Sequence, residues 1–165
     1  MDAEWNLVER LRRGEPDAFD AVYDAEKAAL YGFLLRLCRD AHVAADLFQN
    51  VWLKLAQHAH QLREDSHLRA WLLTVARREF LSFRRAQVLD LTRLLTLGME
   101  PEVESSPPDA DLSALAAALD RLADADREVL LLSASGLEAA EVAHSLGISA
   151  VAVRQRLARA RRRLS

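Results

Sequence analysis

The side chains best suited to chemistry in this chain are arginines, and they fall into two sets. Six follow Val153: Arg154, Arg156, Arg159, Arg161, Arg162 and Arg163, with Gln155 among them. A guanidinium is permanently charged and its planar fork matches a phosphate or a base edge. The second set pairs Arg77 with Arg84 and Arg78 with Arg85. A spacing of seven places each pair on one side of a helix over two turns. Trp71, Phe80 and Phe83 interleave with that set. Backbone-seeking charge beside stackable rings is how an unpaired polyanionic strand is held. Two solvated helix faces would carry the same charges, and Trp71 equally suits a core.

Other constellations are weaker. Cys38 and His42 are four apart, and His58, His60 and His67 flank one loop. Structural zinc usually takes four closely spaced ligands, mostly cysteine, so no metal is expected. There is no glycine-rich phosphate loop, no Ser/His/Asp set and no paired-carboxylate arrangement. Neither an enzyme nor a cofactor is expected.

The 165 residues carry a formal charge of −3, which by itself argues against a polyanion partner. Segregation reverses that reading. Residues 1–65 carry −4, residues 66–93 carry +4, residues 94–135 carry −7 and residues 136–165 carry +4. Two basic blocks on an acidic body read as two polyanion-facing surfaces. The apolar fraction of 51% supports a real core. No apolar run approaches the roughly 20 residues that span a bilayer. Asp2 and Glu4 stand where a signal peptide needs positive charge, so no membrane insertion is expected. A lone cysteine excludes an internal disulfide and suits a reducing cytoplasm.

Helical periodicity must position these arginines. A short helix is expected over Trp5–Leu11, ended by Gly14-Glu15-Pro16. A second carries Ala18, Phe19, Val22, Tyr23, Leu30, Phe33, Leu34 and Leu37 to about Arg39. Val43, Leu47, Val51 and Leu55 recur every four residues and mark a third, from about His42 to His58. Residues 59–66 break the pattern, and Asp65 or Ser66 is placed to cap a fourth helix with Leu68, Trp71, Leu72 and Val75 inward. No alternating strand pattern occurs. The expectation is an all-α protein of two small helical domains, 1–93 and 112–165. Between them lies an acidic Pro/Ser linker at 94–111, containing Glu100, Glu102, Glu104, Asp109 and Asp111.

The second domain reads as four short helices. Leu112, Leu115, Leu119 and Leu122 mark the first. Asp124 or Asp126 caps the second, which Gly136 stops. From Ala139 to Leu157 the spacing is that of a helix-turn-helix. Ala143 allows close crossing, Gly147 makes the turn, and Val142, Leu146, Ile148 and Val153 flank it. Ser149 caps the last helix, whose Val153, Leu157, Ala160 and Leu164 form an apolar stripe. That helix has the pattern of a DNA-recognition helix, with bases met near its N-terminus and phosphates by its arginines.

In order along the chain, AFDAVYD (18–24), DLFQNVWLKL (46–55) and LRAWLLTVARREFLSFRR (68–85) resemble domain two of an extracytoplasmic-function (group IV) sigma factor of bacterial RNA polymerase. REVLLLSASGLEAAEVAHSLGISAVAVRQRLARAR (127–161) resembles sigma domain four. The resemblance implies a transcription initiation factor that directs core polymerase to −35 and −10 promoter elements. Asp46, Leu47, Gln49 and Asn50 would dock on the clamp helices of the largest subunit, with a further contact on the flap of the second-largest. Residues 59–66 would capture a flipped −10 base. Trp71, Arg77, Arg78, Ser82, Arg84 and Arg85 would form the −10 and melting surface. Ser149, Arg154, Gln155, Arg156 and Arg159 would contact the −35 element. An anti-sigma factor is an implied partner, and the linker would thread toward the nascent-RNA path.

The sequence departs from that family at several points. Asn50 stands where an acid is usual, Arg78 where Asn is frequent and Ser82 where Asp is frequent; Ala123 replaces a usual Pro and Ala152 a usual Thr. The changes at Arg78 and Ser82 bear on −10 preference. They would also suit a sigma mimic that binds only an anti-sigma factor, although the arginines after Val153 have no use there. A free-standing helix-turn-helix regulator is the other alternative, and it leaves residues 1–92 without a task.

Overall fold

The computed structural model describes residues 2–100, 114 and 117–165, and every regular element among them is helical. The order is α1 (Asp2–Arg12), α2 (Pro16–Cys38), α3 (Ala41–His58), a 3-10 turn (Ala59–Gln61) and α4 (Leu68–Thr96). A helical turn at 117–120 then precedes α5 (Asp124–Ala134), α6 (Ala139–Leu146) and α7 (Ala150–Leu164). Of the linker acids only Glu100 is described; Glu102, Glu104, Asp109 and Asp111, like Leu112 and Leu115, lie outside the described residues.

In the N-terminal unit α2, α3 and α4 pack on one another and α1 closes against α2. Pro16 stands in the first turn of α2, where its missing N–H is no loss. That helix ends with Arg39 in a left-handed conformation (φ 57°). The next residue begins α3: the Asp40 carboxylate accepts from His42 N at 2.9 Å and Val43 N at 3.2 Å. Leu30, Phe33 and Leu34 meet Val51, Leu55, Leu72 and Leu73 in a fully buried core. Each such side chain contributes about 1.5–3 kcal/mol. An aromatic cluster fixes α2 against α3. Tyr23 and Trp52 lie 4.9 Å apart, and Phe48 meets Tyr31 edge-on at 5.7 Å.

Two expected boundaries shift. The N-cap of α4 is His67, without a side-chain cap bond, and the exposed Asp65 carboxylate pairs with Arg63 at 3.2 Å. The same helix runs to Thr96, past the expected start of the linker, and leaves Val88, Leu89, Leu91 and Leu95 exposed.

The C-terminal unit packs α7 across α5 and α6. Ala123, not an aspartate, is the N-cap of α5. Asp124 and Asp126 instead fall within its first turn, where negative charge meets the helix dipole. Gly147 ends α6 at φ 67°, a conformation that strains any other side chain, and Ile148 N returns to Ala143 O at 3.0 Å. The Ser149 hydroxyl accepts from Ala152 N at 3.1 Å and caps α7. Val142, Ala143, Val153 and Ala160 are buried as the helix-turn-helix spacing requires. The inward stripe stops at Ala160. Leu164 is 40% exposed.

Candidate nucleic-acid and polymerase interfaces

On α7 the burial of Val153 and Ala160 turns the intervening positions outward. Arg154 and Gln155 are exposed beside the capped N-terminus, Arg156 is half-buried, and Arg161, Arg162 and Arg163 are exposed near the end. Arg163 Nη1 reaches the Arg121 carbonyl at 3.2 Å. Arg159 is exposed but already paired. Its Nη2 and Nε donate to both oxygens of Asp126, at 3.0 and 3.4 Å, tying α7 to α5. Asp126 is only 5% exposed, and a buried carboxylate requires such a partner. Arg159 is therefore first a bond within this unit. The spacing that puts it on the polar face of α7 carries no sign of the carboxylate thirty-three residues earlier.

On α3 the four-residue repeat separates two faces. Leu47 is a correction: at 4% exposure it belongs to the core with Val51 and Leu55 and is not on the exposed face. Asp46, Gln49 and Asn50 are exposed on the opposite face. Leu53 joins them at the i+4 and i+3 positions from Gln49 and Asn50, and at 58% exposure it is a large apolar side chain in solvent. Sequence reasoning missed it, although it breaks the core repeat of the same helix.

On α4 the arginines divide. Arg84 lies 5.6 Å from the Phe80 ring centroid, and Arg85 Nη2 donates to Ser82 Oγ at 3.2 Å. Both are exposed, and Phe80 and Phe83 are half-buried. Nearer the start, Trp71 packs against the core with one side open to a cleft of about 590 Å³. Arg63, Ser66, Arg78, Glu141 and His144 also line it. The loop before α4 thus supplies one wall, α4 the floor and α6 of the C-terminal unit the other wall. Arg77 differs from the distal arginines. Its Nη2 donates to Glu128 of α5 at 3.3 Å, and its side chain is half-buried in this arrangement. The cause is tertiary, since α5 and α6 lie over the first turns of α4.

Cys38 is half-buried at the end of α2. Burial, with a smaller contribution from Asp40, pushes its thiol up to about 12, so it is a poor nucleophile and ligand. Among the described residues no three His, Cys, Asp or Glu side chains converge on one point.

These features describe an all-helical chain with an arginine-bearing helix in each of its two helical units. The Sigma-70 region 2 family model matches residues 22–88 and the Sigma-70, region 4 model residues 112–164. An ECF RNA polymerase sigma factor of Mycobacterium tuberculosis, SigL, is 33% identical, over 83% of this chain and 81% of its own. The structure of CnrH in complex with the cytosolic domain of CnrY superposes with a TM-score of 0.77 at 25% identity, over 98% of this chain and 94% of that one. Sigma factor RpoE in complex with the anti-sigma factor NepR, from Bartonella quintana, gives 0.75 at 28% identity, over 88% and 93%. The chain belongs to the extracytoplasmic-function sigma factors: it is a transcription initiation factor that acts with core RNA polymerase. No described helix is long and apolar enough to cross a membrane.

Proposed function

We propose that the work of initiation is divided among three surfaces of this chain. Asp46, Gln49, Asn50 and Leu53 dock on the clamp helices of the polymerase largest subunit, and the C-terminal unit meets the flap of the second-largest. Ser149, Arg154, Gln155 and Arg156 enter the major groove at the −35 element, with bases read near the N-terminus of α7 and phosphates held behind it. Residues 59–66 with Trp71, Arg77, Arg78, Ser82, Arg84 and Arg85 hold the unpaired −10 strand. Domain limits of 1–93 and 112–165, joined by the acidic linker, follow from that division. The polymerase performs the chemistry of RNA synthesis; this chain positions it and favours melted over paired DNA. Each DNA surface is small, and joining both through the polymerase raises their effective concentration. The reading places the chain in the cytoplasm. An anti-sigma factor is its regulator, by extension from the RpoE–NepR complex.

The observation that carries this reading is the exposure, on one chain, of a capped Arg-rich recognition helix and of a second Arg/aromatic helix beside an open cleft. In vitro transcription with core polymerase on a genomic fragment pool tests it. Permanganate footprinting then separates the surfaces: Arg84→Ala with Arg85→Ala impairs opening more than binding. Normal melting by that double variant would remove α4 from the assignment.

A further inference from the structure

The outward face of α7 is polar except along its midline. Val151, Arg154, Gln155 and Ala158 are all exposed, and their spacing of three, four and seven puts them on one side of the helix. At about 100° per residue Val151 and Ala158 lie near the middle of that side, with Arg154 and Gln155 flanking them. The buried Val153 and Ala160 lie behind, against the rest of the unit. Val151 is the second residue of the helix, and at 54% exposure it is a large apolar side chain held in solvent. The bond from Ala152 N to Ser149 Oγ, 3.1 Å, fixes the turn that carries it. A β-branched side chain in a helix keeps essentially one rotamer, so Val151 projects in one direction. Folding gains little from it there, because alanine is the better helix former and the methyl groups meet water. Ala158, one helical face-repeat further on, presents only a methyl group and leaves the midline open.

We propose that Val151 is a specificity-determining residue of the −35 interface and packs on the C5 methyl group of a thymine. Arginine and glutamine read the polar edges of bases in the major groove, chiefly guanine and adenine. The one apolar group a base pair presents there is the thymine methyl. Val151 has no donor or acceptor to offer, and it stands between the two side chains that do. Against cytosine or guanine its methyl groups would strip water from polar base atoms without replacing the hydrogen bonds, so it also disfavours those bases. Because the side chain is already ordered, contact costs little further entropy. The proposal rests on the −35 assignment of α7 above and adds to it the chemistry of one base.

Deoxyuridine tests it, because uracil differs from thymine only by that methyl group. A promoter selected from the genomic fragment pool is bound by holoenzyme assembled from core polymerase and the full chain. Each thymine of its −35 region, on either strand, is then replaced in turn by deoxyuridine. Wild-type holoenzyme is expected to lose about threefold in affinity at one position, the worth of one methyl contact. Val151→Ala should bind thymine and uracil alike at that position, and Val151→Ile should keep the preference. Thermal melts of Val151→Ala should match wild type or rise slightly, which separates the effect from folding. The proposal is overturned if wild type ignores every substitution, if Val151→Ala discriminates as wild type does, or if the selected −35 regions contain no thymine. Weaker assembly with core polymerase at unchanged discrimination would also overturn it, since the valine would then face the polymerase. Failure of the −35 reading itself looks different: Arg154→Ala with Gln155→Ala would leave promoter binding unchanged.

Discussion

The two arginine helices look alike in sequence and differ in availability. On α7, Arg154 and Gln155 stand free beside a capped N-terminus, and Arg159 is held by Asp126. On α4, Arg84 and Arg85 are exposed at the distal end, and Arg77 near the start is held by Glu128. The two held arginines are held differently. Arg159–Asp126 lies within the C-terminal unit, whereas Arg77–Glu128 joins α4 to α5 across the two units. A guanidinium on a polar helix face is therefore no measure of DNA contact until its carboxylates are located.

The sharpest contrast between core and docking face is on α3. Leu47→Ala should cost about 2–5 kcal/mol of stability, as other buried leucines do. Gln49→Ala or Leu53→Ala should change stability by less than about 0.5 kcal/mol and weaken core-polymerase affinity. Thermal melts paired with polymerase titrations separate them. A stable Leu47→Ala protein that still fails to bind polymerase would return Leu47 to the docking surface.

Next in size, Arg159→Ala should destabilise the chain by about 2–3 kcal/mol, because it leaves the Asp126 carboxylate buried and unpaired while water reaches part of the site. Asp126→Asn with Arg159→Ala should recover part of that loss. Denaturant melts of the single and double variants check both. A single variant of wild-type stability with weaker −35 binding would make Arg159 a DNA contact alone.

Arg156→Ala tests the free side of α7. Its melting temperature should stay within about a degree or two, while the slope of log affinity against log salt falls by about 1, the equivalent of one phosphate no longer neutralised. Promoter binding by the holoenzyme across a salt series measures it.

Ser149→Ala should cost about 1 kcal/mol by removing the cap of α7. Ser149→Asp, another good cap, should restore stability. Its added charge opposes DNA, so affinity should fall further, which separates capping from base contact.

The smallest effect concerns Cys38. Its thiol is protonated to about pH 12 in the folded chain, against 9.0 when unfolded. The folded state therefore holds the proton more tightly, and the stability this represents is intact below pH 9 and declines above it. At about pH 8 a thiol reagent should react slowly with the native protein and rapidly after denaturation. Fast native labelling would mean that the end of α2 opens locally.

Patterns local in sequence are legible from it. Periodicity defines the helices, because apolar residues that recur at i, i+3 and i+4 share one face of a helix but fall on both faces of a strand. The helix-turn-helix follows from Ala143, Gly147 and Val153, since close crossing, positive φ and burial each restrict the residue types allowed. The caps at α4 and α5 are not legible, because they fall on His67 and Ala123, neither of which makes a side-chain cap bond, while Asp65 and Asp126 pair with Arg63 and Arg159. Position in a motif points Leu47 outward, although its own four-residue repeat places it in the core. Arg77 cannot be placed at all from sequence, because its partner Glu128 is 51 residues away and belongs to the other unit. Residue types and spacing thus determined what each helix can bind. Tertiary packing decided which of those side chains are free to bind it, because a charge is committed by the nearest opposite charge in space, and the linear order of residues does not record that distance.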